Sequence, residues 1–251
     1  MRIIAFANQK GGVGKTTTVQ NVGAALARAG RRTLLVDLDA QGSLTASCGY
    51  DPDDLKMNLY DVLDGKASLS DVKIEVEGVA GLDLIPAGMD LSQADLAFAG
   101  RIGRENLLKK ALGQVTGYDF VFFDCPPNLG LVTVNALVAA DEIIIPVQAE
   151  YHALRGLELL QKSVAMVSDL NPALAVTGLV VTFFDRRKSL NREVYNEIRR
   201  NFPGILFETR IRDNVALAEA PSFGKDILAY RPTCAGADDY EALAREIARR
   251  S

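Results

Sequence analysis

Residues 2–18 read RIIAFANQKGGVGKTTT, an apolar run followed by a glycine-rich segment that ends in a lysine and threonines. The apolar run predicts a β-strand, and the segment from Thr16 onward predicts a helix. Glycines at positions 11, 12 and 14 let backbone N–H groups close around a polyphosphate, and the helix adds the positive end of its dipole. Lys15 would then reach the β- and γ-phosphates, and the Thr16 hydroxyl would bind Mg²⁺. We therefore predict a nucleotide-phosphate site; the alternative is an ordinary glycine-rich turn.

Two later segments place acids directly after apolar strands. Residues 33–39 read TLLVDLD, and residues 118–124 read YDFVFFD. Alternation along an extended backbone sends Asp37 and Asp39 to one side, and parallel strands present their carboxyl ends at the same edge of a sheet. We expect both acids to face the Mg²⁺ and the γ-phosphate, and Asp124 to hold a magnesium-bound water. The alternative is that these acids only cap turns or a helix start.

Apolar strands alternate with helical segments along the chain. Further strands are predicted at 82–86, 142–147 and 175–184, and their continuous apolar runs are typical of a parallel sheet that is buried on both faces. The alternation predicts an α/β fold, a doubly wound, mostly parallel sheet with helices on both faces. A chain of 251 residues with 48% hydrophobic content can form it as a single domain, 1–251.

Two long helices are expected late in the chain, at 153–170 and 190–201. In the second, Leu190, Val194 and Ile198 recur at helical spacing and should face the core.

The glycine-rich loop departs from the common pattern G-x-x-x-x-G-K-[ST], because Gln9 stands where that pattern has a glycine and a second lysine, Lys10, follows it. The resulting loop is a deviant P-loop. With the acids above and the segment EAPSFGK at 219–225, it resembles the ParA/MinD group of ATPases, most closely the ParA (Soj) partition ATPases. The resemblance covers essentially the whole chain.

This resemblance implies the deviant P-loop NTPase fold, with ATP and Mg²⁺ bound and a homodimer in the ATP state. It implies that Lys10 reaches the partner subunit's nucleotide, that Asp39 positions the attacking water, and that Asp37 supports the Mg²⁺ shell through water. The expected catalytic residues are Lys10, Lys15 and Asp39, and the expected metal residues are Thr16, Asp37 and Asp124. The expected nucleotide contacts are Lys10, Gly11, Gly12, Val13, Gly14, Lys15, Thr16, Thr17 and Pro221, with Thr182 and Phe183 as candidates for the base pocket.

The segment 186–212 is basic although the chain is acidic. It holds eight basic and three acidic residues, whereas the whole chain has a net charge of −4. Arg192 and Arg199 fall on one exposed stripe of the predicted helix, and such a stripe can neutralise DNA phosphates without reading bases. The alternative is a solvated helix face on which Arg192 pairs with Glu193 or Glu197.

The resemblance favours DNA binding, because partition ATPases bind DNA non-specifically as ATP dimers and Arg187 matches a DNA-contact position of the family. Asp213 and Ala216 stand where the family commonly has arginines, and Arg210 and Arg212 would compensate. The expected DNA contacts are Arg187, Lys188, Arg192, Arg199, Arg210 and Arg212.

The expected function is therefore that of a slow ATPase which segregates a chromosome or plasmid on double-stranded DNA, with hydrolysis stimulated by a ParB-like adaptor. One alternative is a related ATPase that positions a non-DNA cargo or a membrane-associated complex. Another is a P-loop enzyme that phosphorylates or ligates a small metabolite.

Composition restricts the remaining possibilities. No apolar run approaches the roughly 20 residues of a membrane span, and the C-terminal helix at 238–250 has few bulky apolar residues, so no membrane binding is expected. The expected location is cytoplasmic, on the nucleoid when ATP is bound.

The cysteines at 48, 125 and 234 show no C-x-x-C spacing, which argues against a zinc site, an iron–sulfur cluster or a disulfide framework. His152, the only histidine, is expected to have no catalytic role.

Overall fold

The computed structural model describes residues 1–150, 164, 165 and 167–250. His152 and nearly all of the predicted helix at 153–170 lie outside the described residues. The strands are β1 (Arg2–Phe6), β2 (Thr33–Asp37), β3 (Ile74–Glu75), β4 (Leu82–Ile85), β5 (Phe120–Asp124), β6 (Glu142–Gln148), β7 (Ala175–Phe184) and β8 (Leu206–Arg212). They form one sheet in the order β3-β4-β2-β5-β1-β6-β7-β8. Neighbours run parallel except β3 and β4, which are antiparallel.

Helices cover both faces of this sheet. They are α1 (Lys15–Arg28), α2 (Ser43–Ser47), α3 (Leu59–Asp64), α4 (Leu69–Val72), α5 (Ala94–Ala97), α6 (Leu107–Leu112), α7 (Leu131–Ala139), α8 (Ser189–Asn201), α9 (Val215–Glu219), α10 (Ile227–Tyr230) and α11 (Ala235–Arg249). On one face α1 and α11 pack with Ile4 and Phe6 of β1, and on the other α7 and α8 share a core with Ala5. The predicted doubly wound, mostly parallel α/β fold is confirmed.

The register of the central strands brings the acids together. β5 lies between β1 and β2, and Asp124 at its end pairs with Phe6 on one side and with Asp37 on the other. Because these strands are parallel, their carboxyl ends share one edge of the sheet, and the glycine-rich loop leaves β1 at that edge. The order and register of the strands therefore bring the loop and both acids together.

The rotation of α8 differs from the prediction. Leu190 is 45% exposed, so the expectation that it faces the core is wrong, whereas Val194 and Ile198 are buried as predicted. Asn191 turns inward instead: its amide oxygen accepts the N–H of Asp185 at 2.8 Å, and its amide nitrogen donates to a backbone carbonyl just after β6 at 2.7 Å. These hydrogen bonds satisfy buried backbone groups, which outweighs burying one more leucine.

The basic segment also contains an edge strand, β8, that was not predicted. Phe207 and Ile211 point inward, while Arg210 and Arg212 are exposed, as expected for a half-buried strand. Two of the predicted DNA-contact residues therefore belong to the sheet edge next to β7.

Candidate active site

The loop between β1 and α1 has the shape of a phosphate cradle. Gly12 and Gly14 have φ angles of 71° and 81°, a left-handed conformation that other residues adopt only at a cost. A Cβ atom at Gly11 or Gly12 would meet nothing within 4 Å, so the space beside these glycines is open. Lys15, the first residue of α1, is only 8% exposed. The loop thus offers the flexible backbone, open space and helix end that bind a polyphosphate.

Lys10, in the same loop, is paired within its own chain. Its ammonium group donates to the Glu150 carboxylate at 2.5 Å and to the Gln148 amide oxygen at 3.2 Å. Its backbone N–H donates to the side chain of Asn8 at 3.0 Å, which fixes the start of the loop. The side chains of Lys10 and Glu150 are each 46% exposed. Water therefore screens the ion pair, and another anion could replace Glu150 at little cost.

Thr16 and Asp124 meet at the carboxyl edge of the sheet. The Thr16 hydroxyl donates to Oδ2 of Asp124 at 2.7 Å. The other carboxylate oxygen, Oδ1, is buried and has no hydrogen-bond partner. Burial of Asp124, and next the nearby charge of Asp37, raise the pKa of Asp124 well above its usual value. A buried carboxylate oxygen without a donor is costly, and a bound cation would relieve that cost.

The donor set at this edge suits Mg²⁺, which prefers oxygen ligands and usually takes one or two protein groups together with waters and phosphates. Thr16 and Asp124 supply a hydroxyl and a carboxylate in contact with each other. The unpartnered Oδ1 of Asp124 adds an acceptor that no protein donor uses. Two of the three expected metal residues are therefore brought together beside the phosphate loop.

Asp37, the third expected metal residue, is largely occupied by protein donors. Its Oδ2 accepts the N–H and the hydroxyl of Thr45, each at 2.8 Å, and its Oδ1 accepts the N–H of Asp39 at 3.1 Å. About one of the four acceptor positions of the carboxylate is left for a water. Burial raises the pKa of Asp37 above its usual value, although the hydrogen bonds from Thr45 oppose the rise.

Asp39 caps the next turn, because its Oδ1 accepts the N–H of Gln41 at 3.0 Å. Both Asp37 and Asp39 thus have the turn-capping role that the sequence left open as an alternative. Asp39 is half-buried, so its carboxylate remains accessible to a ligand. Nothing in the local sequence marks Thr45, since the side chain it contacts lies eight residues away.

The residues expected near the base lie in two parts of the fold, at the end of β7 and in a turn after α9. The Thr182 hydroxyl donates to the carbonyl of Val13 at 2.9 Å, and a Cβ atom at Gly14 would lie 3.6 Å from the Phe183 ring. Within the described chain, Phe183 alone among non-glycine residues has a positive φ, of 50°. Pro221 lies in the short 3₁₀ turn Ala220–Phe223, which contacts α2. Thr182 and Phe183 therefore touch the phosphate loop, and Pro221 belongs to a separate turn.

Four of the expected DNA-contact residues line two adjoining grooves beside β8. An open groove of about 810 Å³ is lined by Arg187, Arg210 and Arg212, and a second groove by Arg199 and Arg210. Lys188 immediately precedes α8, and Arg192, near the start of that helix, donates to a backbone carbonyl in the preceding loop. Arg187, Arg199, Arg210 and Arg212 are called here the basic surface, although Asp185, Glu208, Asp213 and Asp239 line the same grooves.

Part of this basic surface is neutralised within the chain. Arg187 is bound to Asp185 at 2.9 Å although its side chain is 85% exposed, and its hydrogen bonds lower the pKa of Asp185 to about 2. Arg212 holds Asp239 through two nitrogens, the shortest contact being 2.7 Å. Arg210 instead stacks on aromatic rings. Counting charges over 186–212 overestimates the positive charge, because both acidic partners lie outside that range.

The three cysteines at 48, 125 and 234 are free thiols, and the first two are buried. Within the residues that the structure describes, no cluster of three or more His, Cys, Asp or Glu side chains could hold a metal ion. None of the described helices has the length and apolar character needed to cross a membrane.

Comparison with known proteins shows the family of the chain. An AAA domain family model matches residues 1–176. The chain is 45% identical to the sporulation initiation inhibitor protein Soj of Bacillus subtilis, over 98% of each chain. It is 43% identical to the chromosome partitioning protein ParA of Caulobacter vibrioides, over 100% of this chain and 95% of the relative. It is 46% identical to the chromosome-partitioning ATPase Soj of Treponema pallidum, over 99% and 98%.

Solved structures share the fold over nearly the whole chain. One is a cobyrinic acid a,c-diamide synthase from Mycobacterium smegmatis with bound ADP and magnesium, with a TM-score of 0.86, 37% identity, and coverage of 99% of this chain and 94% of that one. Another is the cell division ATPase MinD of Pyrococcus furiosus, with a TM-score of 0.82, 25% identity, and coverage of 100% and 99%. With full-length identity of 43–46% to ParA and Soj proteins, the chain belongs to the ParA/Soj family of chromosome-partitioning ATPases.

Proposed function

We propose that the whole chain, 1–251, works as one ATP-driven switch. In the ATP state it forms a homodimer that binds double-stranded DNA without sequence preference, and hydrolysis returns it to a weakly binding form. A ParB-like adaptor stimulates the slow hydrolysis, and the cycle segregates a chromosome or plasmid. The switch acts in the cytoplasm, on the nucleoid when ATP is bound.

The phosphate loop would hold the nucleotide. Backbone N–H groups around Gly12 and Gly14 surround the phosphates, and Lys15, held at the buried start of α1, neutralises their charge. Thr16 and Asp124 would hold Mg²⁺, which neutralises negative charge that develops on the phosphate oxygens. A solved relative with bound ADP and magnesium supports the choice of nucleotide and metal.

Asp39 would accept a hydrogen bond from the attacking water and so align it with the γ-phosphate. Two hydrogen bonds fix its position, from its own N–H to Asp37 and from the N–H of Gln41 to its Oδ1. A carboxylate held in this way loses little conformational entropy when it binds the water. In Asp39→Ala, ATP binding should persist while hydrolysis is lost; an unchanged rate would remove this role.

Lys10 would bridge to the partner subunit. In the single chain its ammonium group is satisfied by Glu150, through an ion pair that is half exposed. A polyphosphate carries more negative charge than one carboxylate and would compete successfully for the lysine. Normal ATP-dependent dimerisation of Lys10→Ala in sedimentation experiments would contradict the bridging role.

The observation that supports DNA binding most directly is the basic surface next to β7 and β8. It presents four exposed arginines on an acidic protein of net charge −4, with acids such as Asp185 and Asp239 between them. Arg187 projects from this surface with 85% exposure and can exchange Asp185 for a DNA phosphate. Backbone phosphates carry no sequence information, and such a surface binds any duplex.

Arg187→Ala tests this surface in a protein locked in the ATP state by Asp39→Ala. We expect weaker binding to a random-sequence duplex and a decrease of about one in the slope of log affinity against log salt. Arg31→Ala is the matched control, because Arg31 is also an exposed arginine, 58% accessible and paired with Asp119, but lies just before β2, five strands from β8 in the sheet. Equal salt slopes for both variants would place the DNA surface elsewhere.

A second candidate function comes from the Mycobacterium smegmatis relative, whose name is that of an enzyme acting on cobyrinic acid. A metabolite ligase would hydrolyse ATP only when its substrate is added and would ignore DNA. Measuring ATP turnover with cobyrinic acid plus an amide donor, and separately with DNA, distinguishes the two functions. Stimulation by the metabolite alone would replace the partition function with this one.

A further inference from the structure

Thr45 is completely buried, and its side chain joins two parts of the chain that are distant in sequence. Its hydroxyl donates to Oδ2 of Asp37 at 2.8 Å and accepts the N–H of Ala87 at 3.1 Å. Its own N–H, in the first turn of α2, donates to the same Oδ2 at 2.8 Å. One side chain therefore ties the end of β2, the start of α2 and the segment that follows β4.

We propose that Thr45 is a positioning residue for ATP hydrolysis, acting through Asp37 on Asp39. This inference rests on the proposed role of Asp39 in orienting the attacking water. The chain of contacts runs from the Thr45 hydroxyl to Oδ2 of Asp37, and from Oδ1 of Asp37 to the N–H of Asp39. The turn that carries Asp39 thus depends on the orientation of the Asp37 carboxylate, which Thr45 sets.

The geometry explains why the hydroxyl matters beyond packing. A carboxylate can rotate about its Cβ–Cγ bond, and without the hydroxyl only one backbone N–H would hold each oxygen of Asp37. Two donors from Thr45 converge on one oxygen, which holds the other oxygen toward Asp39. Loss of the hydroxyl would leave the buried N–H of Ala87 without its acceptor and free Asp37 to turn toward Asp124, its neighbour in the sheet.

The contact with Ala87 connects Thr45 and Asp37 to the segment after β4. Pro86, just before Ala87, accepts the N–H of Leu59 at 2.9 Å, and Asn58 at the start of α3 donates to Asp90 at 3.1 Å. The segment after β4 is therefore connected to the Asp39 turn through hydrogen bonds, of which those made by Thr45 are buried. This segment is the anchor against which Thr45 is held.

Thr45→Val tests the inference, because valine has nearly the shape of threonine but no hydroxyl. We expect the single-turnover rate constant for ATP hydrolysis, measured with Mg²⁺ and DNA, to fall about 10- to 100-fold, as is typical of misplaced catalytic groups. The Kd for a fluorescent ATP analogue should change by less than about twofold, since Thr45 does not contact the phosphate loop. Thr45→Ser, which retains the hydroxyl, should recover most of the rate.

Thr33→Val is the matched control for stability. Thr33 is also fully buried, lies at the other end of β2, and its hydroxyl donates only to the local carbonyl of Arg31 at 3.0 Å. It should keep the wild-type rate even if its Tm falls as far as that of Thr45→Val.

Three results would overturn the inference. If Thr45→Val hydrolyses ATP at the wild-type rate while Asp39→Ala is inactive, Thr45 does not position Asp39 and the proposed function is unaffected. If Thr33→Val loses as much activity as Thr45→Val, general destabilisation explains the loss. If Asp39→Ala itself retains full hydrolysis, the proposed role of Asp39 fails and the inference fails with it.

Discussion

Replacing Asp124 with asparagine should stabilise the protein when Mg²⁺ is absent. Asp124 is 1% exposed, and its Oδ1 atom has no hydrogen-bond partner. Asparagine keeps the shape and can still accept the Thr16 hydroxyl. Its amide nitrogen would lack an acceptor, but a neutral group costs less to bury than a charge. The free energy of unfolding should therefore rise by about 1–2 kcal/mol. For a chain of this size each kcal/mol shifts Tm by about 2–4 °C, so Tm should rise by about 2–8 °C.

The gain should depend on pH with a definite sign. The pKa of Asp124 is raised in the folded protein, so folding takes up a proton at any pH between the ordinary pKa of the carboxyl group and the raised one. Wild-type stability is therefore retained at low pH and falls as the pH rises toward the raised pKa. Asparagine does not titrate, and the advantage of Asp124→Asn in Tm should grow from about pH 5 to about pH 8.

Thermal unfolding followed by circular dichroism in EDTA measures the gain in Tm and its dependence on pH. The same measurement in Mg²⁺ with ATP tests the metal site. The variant should lose most of the extra Tm that Mg²⁺ and ATP give the wild type. Asp83→Asn is the control, since Asp83 is 6% exposed but is bound by the Tyr118 hydroxyl and lies 3.4 Å from Lys73. That variant should be less stable than wild type. The reasoning is refuted if Asp124→Asn melts below wild type in EDTA, or gains as much from Mg²⁺ and ATP.

Two further substitutions, the first with a matched control, test contacts close to the site. In Gly224→Ala, a Cβ atom would lie 2.6 Å from the Cα of Gly49, and φ is 62°, so we expect a loss of about 2–3 kcal/mol in denaturant unfolding. Gly204→Ala, with a φ of 88° but open space, should lose only about 1 kcal/mol; equal losses would refute the backbone clash. Glu150→Ala removes the half-exposed partner of Lys10 and should change stability by less than about 1 kcal/mol, a larger loss being contrary to a screened ion pair.

Much of the site could be predicted because it depends on local patterns. The glycines of the phosphate loop are marked by their spacing, and the acids at 37 and 124 end apolar strands, whose parallel arrangement then forces them together. The alternation that forms β8 was also present in the sequence, with Phe207 and Ile211 on one face. Arg210 and Arg212 on the other face are equally typical of a solvated basic segment, so the alternation alone does not separate a strand from a loop.

Other features depend on residues that are close only in the folded chain. Asn191 is buried because it satisfies two backbone groups, one of them just after β6, and helical periodicity alone favours Leu190. The partner of Arg212 is Asp239, on the last helix. Thr45 depends on the N–H of Ala87, which belongs to another strand connection. Pattern and spacing carry no information about such pairs, because tertiary contacts decide them.

The pairing of β5 between β1 and β2 also determines where the length of the chain can vary. Side chains alternate along a strand, so moving β5 by one residue would replace the Asp124 carboxylate by the side chain of Phe123 or Cys125. The connection at 113–119 enters β5 at the opposite edge of the sheet, where extra residues lengthen a loop at only about 0.6 kcal/mol for each doubling of its length. Insertions and deletions can therefore accumulate at that edge, while the strand ends that carry the acids must keep their length.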